Sequence, residues 1–283
     1  MPFEILVQAL ITIFIVLAML CVGLEVGTSD IVAAVRDRRK TGRALLANII
    51  IAPIVAFILV KLIPMPDAAA KVLLLLGFAP GGINAIQFST KSPGHLASAA
   101  GLLFLLSAAA LVITPIAAGF ILEPGSSIAV PYSRVALRMT LFIVLPLAAG
   151  MAIRRSAPGV AQKLFKPVML VSTLAFIASV LTSMALRQDA LGELGKGTML
   201  AMLAFILITM AVGWYLGGPE RGHRQVLAVV TNLRNVGLVY VIVAACCVDP
   251  MLPTAVLAFM ALMVPPNLIL TVYNGIWRKK HGS

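Results

Sequence analysis

Thr231-Asn232-Leu233-Arg234-Asn235 interrupts an apolar run that extends from Arg224 to Cys247, and Pro80-Gly81-Gly82 interrupts another that extends from Ala68 to Thr90. Each run is long enough to cross a hydrocarbon core of about 30 Å, which takes roughly 20 helical residues. Proline removes a backbone donor and clashes with the preceding turn, and two glycines add freedom to unwind, so the helix from Ala68 is expected to break at Pro80. At about 1.5 Å of rise per residue, that break falls near mid-bilayer. Two Asn and an Arg at comparable depth cannot face lipid, so the second segment must face protein or a wet cavity.

The rest of the 283 residues reads the same way. Hydrophobic residues make up 61% of the chain and charged residues 11%, and the mean hydropathy is +1.05, whereas a soluble domain is typically about 25% charged. Apolar runs between charged or Gly/Pro punctuation give nine expected spans: 5–26, 43–63, 68–90, 96–122, 133–153, 165–186, 198–216, 224–247 and 251–277. The first run follows Met-Pro-Phe-Glu, with no positive charge before it and no small-residue cleavage site after it, and reads as a span rather than a signal peptide. Cys21, Cys246 and Cys247 lie in or at the ends of apolar runs, without disulfide or zinc spacing.

The net charge of +12 has a topological cause rather than a nucleic-acid one. Arg36, Arg38, Arg39, Lys40, Arg43, Lys91, Arg154, Arg155, Lys163, Lys166, Arg221, Arg224, Arg278, Lys279 and Lys280 fall on one side of the expected topology. The positive-inside rule makes that side cytoplasmic, with the N-terminus outside, the C-terminus inside, and the chain in the plasma or inner membrane.

The two interrupted spans stand in corresponding places if the chain is a single transporter domain of two inverted repeats, about 5–122 and 133–278, with the first repeat one helix short. Paired discontinuous helices in such repeats point to a central site in secondary transporters. Around the breaks, Asn48, Asn84, Gln87, Thr231, Asn232, Arg234 and Asn235 are the candidate substrate contacts, with Pro80, Gly81, Gly82 and Gly237 shaping the breaks. Arg234 is the sharpest of these, because a guanidinium stays charged. It pairs with a substrate carboxylate or stands in for a bound cation, the alternatives being an ion pair with a displaced acid such as Glu25 or snorkelling to an interface. No metal cluster and no cofactor motif is present, and oligomeric state is not readable. Helix N-termini created at the breaks favour an anion.

Met19-Leu20-Cys21-Val22-Gly23-Leu24-Glu25-Val26, a basic loop, then Ala47-Asn48-Ile49-Ile50-Ile51-Ala52-Pro53 resembles the opening of the bile acid:sodium symporter family, as do Ala79-Pro80-Gly81-Gly82, the downstream Pro-Gly-His, Thr114-Pro115 and Asn235-Val236-Gly237-Leu238. The resemblance implies nine or ten helices, a panel and a core, two broken helices crossing in the core, and carriage of organic anions, usually with sodium. At the positions that implies for sodium, Val230 replaces an acid, Ala85 and Ile86 a polar pair, Ala99 and Leu103 hydroxyls, and Arg234 a neutral amide. The reading is therefore a secondary transporter of small organic anions, with a sodium-independent facilitator or exchanger carrying Arg234 in place of the cation as the alternative. An intramembrane enzyme would need a carboxylate pair, an activated Ser or a His-rich motif within the spans, and none is there.

Overall fold

The computed structural model describes residues 2–82, 96–122, 130–186, 188–246 and 249–281. Its regular elements are helices: α1 (Pro2–Glu25), α2 (Thr28–Arg36), α3 (Arg38–Leu45), α4 (Ala52–Leu62), α5 (Asp67–Gly77), α6 (Leu96–Leu122), α7 (Tyr132–Met139), α8 (Leu145–Ser156), α9 (Pro158–Leu186), α10 (Gln188–Glu193), α11 (Gly195–Leu216), α12 (Arg221–Asn232), α13 (Val236–Cys246), α14 (Met251–Leu262) and α15 (Val264–His281). A π-helical turn, Leu46–Ile51, joins α3 to α4, and another, Thr140–Val144, joins α7 to α8. Among the described residues, eight helical segments are long and apolar enough to cross a membrane, so the chain is an integral, multi-pass membrane protein.

The expected third span differs from the other eight. It enters as α5 and stops at Gly77 after 11 residues, about half the hydrocarbon thickness. Residues Phe78 to Gly82 are not helical, and the continuation toward Thr90 lies outside the described residues, as do Ala85 and Ile86.

Two groups of helices pack around different seams. One is α1 with α8 and α9; the other surrounds α12 and α13, with α11 along α12 and with α7 and α14 against α13. Every residue from Gln225 to Val243 is buried, so the second broken helix is the centre of the protein, enclosed on all sides. Elsewhere the spans keep one apolar face outward, as Phe57, Phe120, Ile177 and Ile269 show.

Close approach between helices rests on glycine, as small residues allow when no water-driven force pulls helices together in lipid. A Cβ on Gly150 would stand 2.5 Å from the Leu20 carbonyl oxygen, and a Cβ on Gly23 would stand 2.8 Å from the Met151 nitrogen. The α1–α8 seam thus runs backbone to backbone.

At one end of the bundle the basic loops meet. Lys40 Nζ lies 2.8 Å from His223 Nε2, joining the α3 segment to the start of α12. His223 lies in the first turn of α12. Asp37 caps α3 by accepting from the Lys40 backbone N–H, a bond that holds its carboxyl below the usual carboxylate range. At the opposite end, Gly197 rests on the Pro64 carbonyl.

Gly150→Val is expected to lower the melting temperature in detergent sharply, since backbone atoms cannot yield. Gly42→Ala, which meets nothing within 4 Å in mid-helix, is expected to be neutral or stabilising by up to about 1 kcal/mol. Differential scanning fluorimetry of the two variants separates them.

Candidate functional site

A half-helix that ends inside the protein presents carbonyls that have lost their intrahelical donors. Both α5 and α12 end this way, and their C-termini converge. The breaks touch directly: the Asn235 N–H donates to the Ala79 carbonyl at 2.9 Å, and a Cβ on Gly82 would overlap the Leu233 carbonyl. Gly81 has φ of 82°, in the left-handed region that glycine tolerates. Two hydroxyls of α6 take up carbonyls freed by the first break: Thr114 Oγ1 donates to Phe78 O at 2.8 Å and Ser107 Oγ to Gly81 O at 3.2 Å.

Arg234 sits in the second break, 1% exposed, and gives every N–H of its guanidinium to a neutral protein oxygen. Nε donates to Leu76 O at 2.8 Å, Nη1 to Asn48 Oδ1 at 2.8 Å and Thr231 O at 3.1 Å, and Nη2 to Gly77 O at 2.6 Å and Asn48 O at 3.2 Å. Leu76 and Gly77 close α5 and Thr231 belongs to the last turn of α12, so the cation lies at the negative ends of two helix dipoles.

The fourth and fifth oxygens come from Asn48, and the local sequence explains why one of them is free. In the π-helical turn Leu46–Ile51 the Ala52 N–H bonds to Ala47 O, five residues back. The next donor in that register would be residue 53, a proline without N–H. Asn48 O is left for Arg234. The Asn48 side chain also donates from Nδ2 to Ala44 O at 3.0 Å and to Thr231 Oγ1 at 3.2 Å.

The structure thus brings Asn48, Thr231, Arg234, Pro80, Gly81 and Gly82 to one place. Asn232 is adjacent but engaged elsewhere: its amide and that of Asn267 exchange hydrogen bonds at 3.1 and 2.7 Å, tying α12 to α15. Asn267 is a residue that the sequence reading passed over, although an Asn after Pro265-Pro266 inside an apolar run was a visible signal. Asn84 and Gln87 lie outside the described residues. Glu25 does not pair with Arg234; among the described residues no carboxylate does, because neutral oxygens already saturate the guanidinium. In this conformation Arg234 has no donor left for a substrate.

Asn235 is the opposite case. Its Oδ1 accepts from the Leu238 N–H at 3.1 Å, capping α13, while Nδ2 is buried and, among the described residues, has no hydrogen-bond partner. A buried amide donor at a helix N-terminus is suited to an oxygen-bearing, anionic ligand.

Sodium takes several oxygen ligands, and five oxygens do converge here, but the Arg234 guanidinium fills their centre. At two further positions where the resemblance implies ligands, Val230 and Leu103 are buried apolar side chains. These residues do not fit a sodium ion.

A family model described as the Sodium Bile acid symporter family matches residues 12–194, which includes the first break and ends before the second. The human P3 protein is 26% identical over 197 residues, 68% of this chain and 41% of its own length. The uncharacterized sodium-dependent transporter YocS of Bacillus subtilis (strain 168) is 21% identical over 239 residues, 82% of this chain and 73% of its own. The chain therefore spans less than half the length of the P3 proteins it matches.

Arg234→Met leaves five acceptors unmatched in a buried site, and a loss of about 3–5 kcal/mol is expected; Arg234→Lys, with at most three donors, should lose less. Gly82→Ala should approach the Met variant through steric overlap at Leu233. Thermal and urea-in-detergent unfolding of the three proteins checks the ranking.

Proposed function

Because the chain belongs to the sodium bile acid symporter family, we propose that it is a secondary transporter of small organic anions that alternates access around the two breaks and needs no sodium ion, Arg234 being its built-in cation. The single observation that carries this reading is the set of five Arg234 hydrogen bonds to Leu76 O, Gly77 O, Asn48 O, Asn48 Oδ1 and Thr231 O. A coupling cation would bind such a ring of oxygens, lend positive charge to the crossing point and hold the half-helices together. A tethered guanidinium does the same without leaving, so its binding energy is not exchanged with the two bulk solutions.

In this scheme the substrate anion meets the crossing point through Asn235 Nδ2 and the N-terminus of α13, where the fixed charge of Arg234 lies close behind. Asn48, Thr231 and Arg234 hold the break in shape, Asn232 anchors α12 to α15, and Gly237 keeps the start of α13 thin. The two breaks are counterparts in inverted repeats, the basic end of the bundle faces the cytoplasm, and transport is facilitated diffusion or anion exchange. The name of the Bacillus subtilis relative marks that protein as sodium-dependent; in the present chain, on this proposal, Arg234 takes the cation's place. Nothing among the described residues offers the paired acid and base of an intramembrane hydrolase, and the buried hydrogen-bond network is accounted for by holding the breaks.

Thermal stability in detergent, read against a panel of bile acids, steroid sulfates and small carboxylates in sodium and in choline medium, tests the proposal. An anion at about 100 times its Kd stabilises by roughly 2.7 kcal/mol. The wild type is expected to respond to an anion equally in both media and not at all to sodium alone, whereas Arg234→Gln, which empties the cage, should gain a sodium response. A wild type that sodium stabilises, or an anion effect that vanishes in choline, overturns it.

A further inference from the structure

Beyond the crossing point, the side of the molecule away from the basic loops carries a cleft that nothing so far has used. It lies between α1, α7 and α13, has a volume of about 120 Å³, and is lined by Gln8, Thr12, Ile15, Arg138, Phe142 and Tyr240. At roughly 30 Å³ per water, it holds a few waters or the carboxylate or sulfonate head of an organic anion. Arg138 is the one charged side chain in the described lining, and among the described residues it has neither a carboxylate nor a hydrogen-bond partner. A cation seated between helices with no counter-charge among the described residues is suited to balance by water or a mobile anion.

The walls fit that purpose. Gln8 and Thr12 are one helical turn apart and form a polar patch, with Glu4 one turn nearer the start of α1. Tyr240 brings a phenol from the outer part of α13. The floor is a contact between Ile15 and Gly237: a Cβ on Gly237 would stand 3.0 Å from Ile15 Cγ1, so the Ile15 side chain rests on bare backbone two residues past Asn235. From Gly237, α13 rises about 10 Å to Ala244 at the far end of the cleft. The Ile15 side chain therefore stands between the cleft and the second break.

We infer that this cleft is an outer vestibule that captures the substrate's anionic head on Arg138 before the Ile15–Gly237 contact opens and passes it to the crossing point. The inference rests on the transporter reading for its direction of use, and on the positive-inside topology for the word outer. The charge preference of the cleft stands apart from both. An anion of the class that Asn235 would receive meets a guanidinium first, on a path obstructed by a side chain that a rotation of α1 against α13 would lift.

The test uses the full-length protein with Cys21, Cys246 and Cys247 replaced by Ala and Thr12→Cys as the reporter, reconstituted in phosphatidylcholine vesicles. Two membrane-impermeant methanethiosulfonates are the probes, one bearing a sulfonate and one a trimethylammonium group. With Arg138 present the sulfonate reagent is expected to react faster relative to the cationic one, and Arg138→Gln should reduce that ratio about tenfold or more, as a unit charge a few ångströms away at a partly wetted site implies. Arg138→Lys should keep most of the preference, which separates charge from packing. A ratio unchanged by Arg138→Gln overturns the inference, and so does a reporter thiol that reacts with neither reagent until the protein is unfolded. Labelling proceeds with or without transport, so a failed uptake or stabilisation assay would count against the proposed function while leaving this result legible.

Discussion

A buried guanidinium with five neutral acceptors holds this molecule together at its weakest point. Two helices stop inside the bilayer, and each stop strands carbonyls where no water can reach them. One side chain answers for both ends at once, drawing Leu76 and Gly77 of the first break to Thr231 of the second and to Asn48 on a third helix. The desolvation of the cation and the orphaning of the carbonyls are each worth several kcal/mol when left alone. Together they largely cancel, and what remains is a rigid crossing point instead of two frayed ends. The rest of the bundle is arranged to enclose it: the whole middle of the second broken helix is buried, while the outer spans keep one face for lipid.

The transport scheme proposed above requires the crossing point to keep its shape while the helices around it move. Glycine contacts supply seams without bulky interdigitation, at Gly23 and Gly150 between α1 and α8 and at Gly237 beneath Ile15. The hydrogen-bonded parts lie on the other side of those seams: Asn48 to Thr231, Asn232 to Asn267, Thr114 and Ser107 to the first break. Polar bonds in a low-dielectric interior resist rearrangement more than apolar contacts do, since each must be remade or left unsatisfied. In that scheme the firm part of the molecule lies where those bonds are.

Much of this is legible in the chain. Long apolar runs can only be spans; Pro80-Gly81-Gly82 can only break a helix; Asn and Arg at mid-depth can only turn inward. The partners of Arg234 are another matter. Its acceptors belong to four residues, three of them in two distant segments and Thr231 in the preceding turn, and four of the five oxygens are backbone carbonyls, which every residue carries and which therefore leave no trace in composition. An acid such as Glu25 is one partner the sequence offers, because a charge suggests a counter-charge. The structure prefers carbonyls because the half-helices already supply negative potential there. The extent of the third span likewise depends on its break, after which α5 is too short to count as a crossing helix by itself.

The sequence by itself determined that the chain lives in a membrane, where its spans run, and at which two points they fail, because hydropathy and the stereochemistry of proline and glycine act locally. Only the tertiary structure decided what fills the gap between the failures. Whether five converging oxygens surround a diffusible ion or the tip of Arg234 depends on how three helices cross, and that geometry is set by packing between segments far apart in the chain. Pro53 joins the two levels: its missing N–H is written in the sequence, and the carbonyl it leaves free acquires a meaning once Arg234 is folded against it.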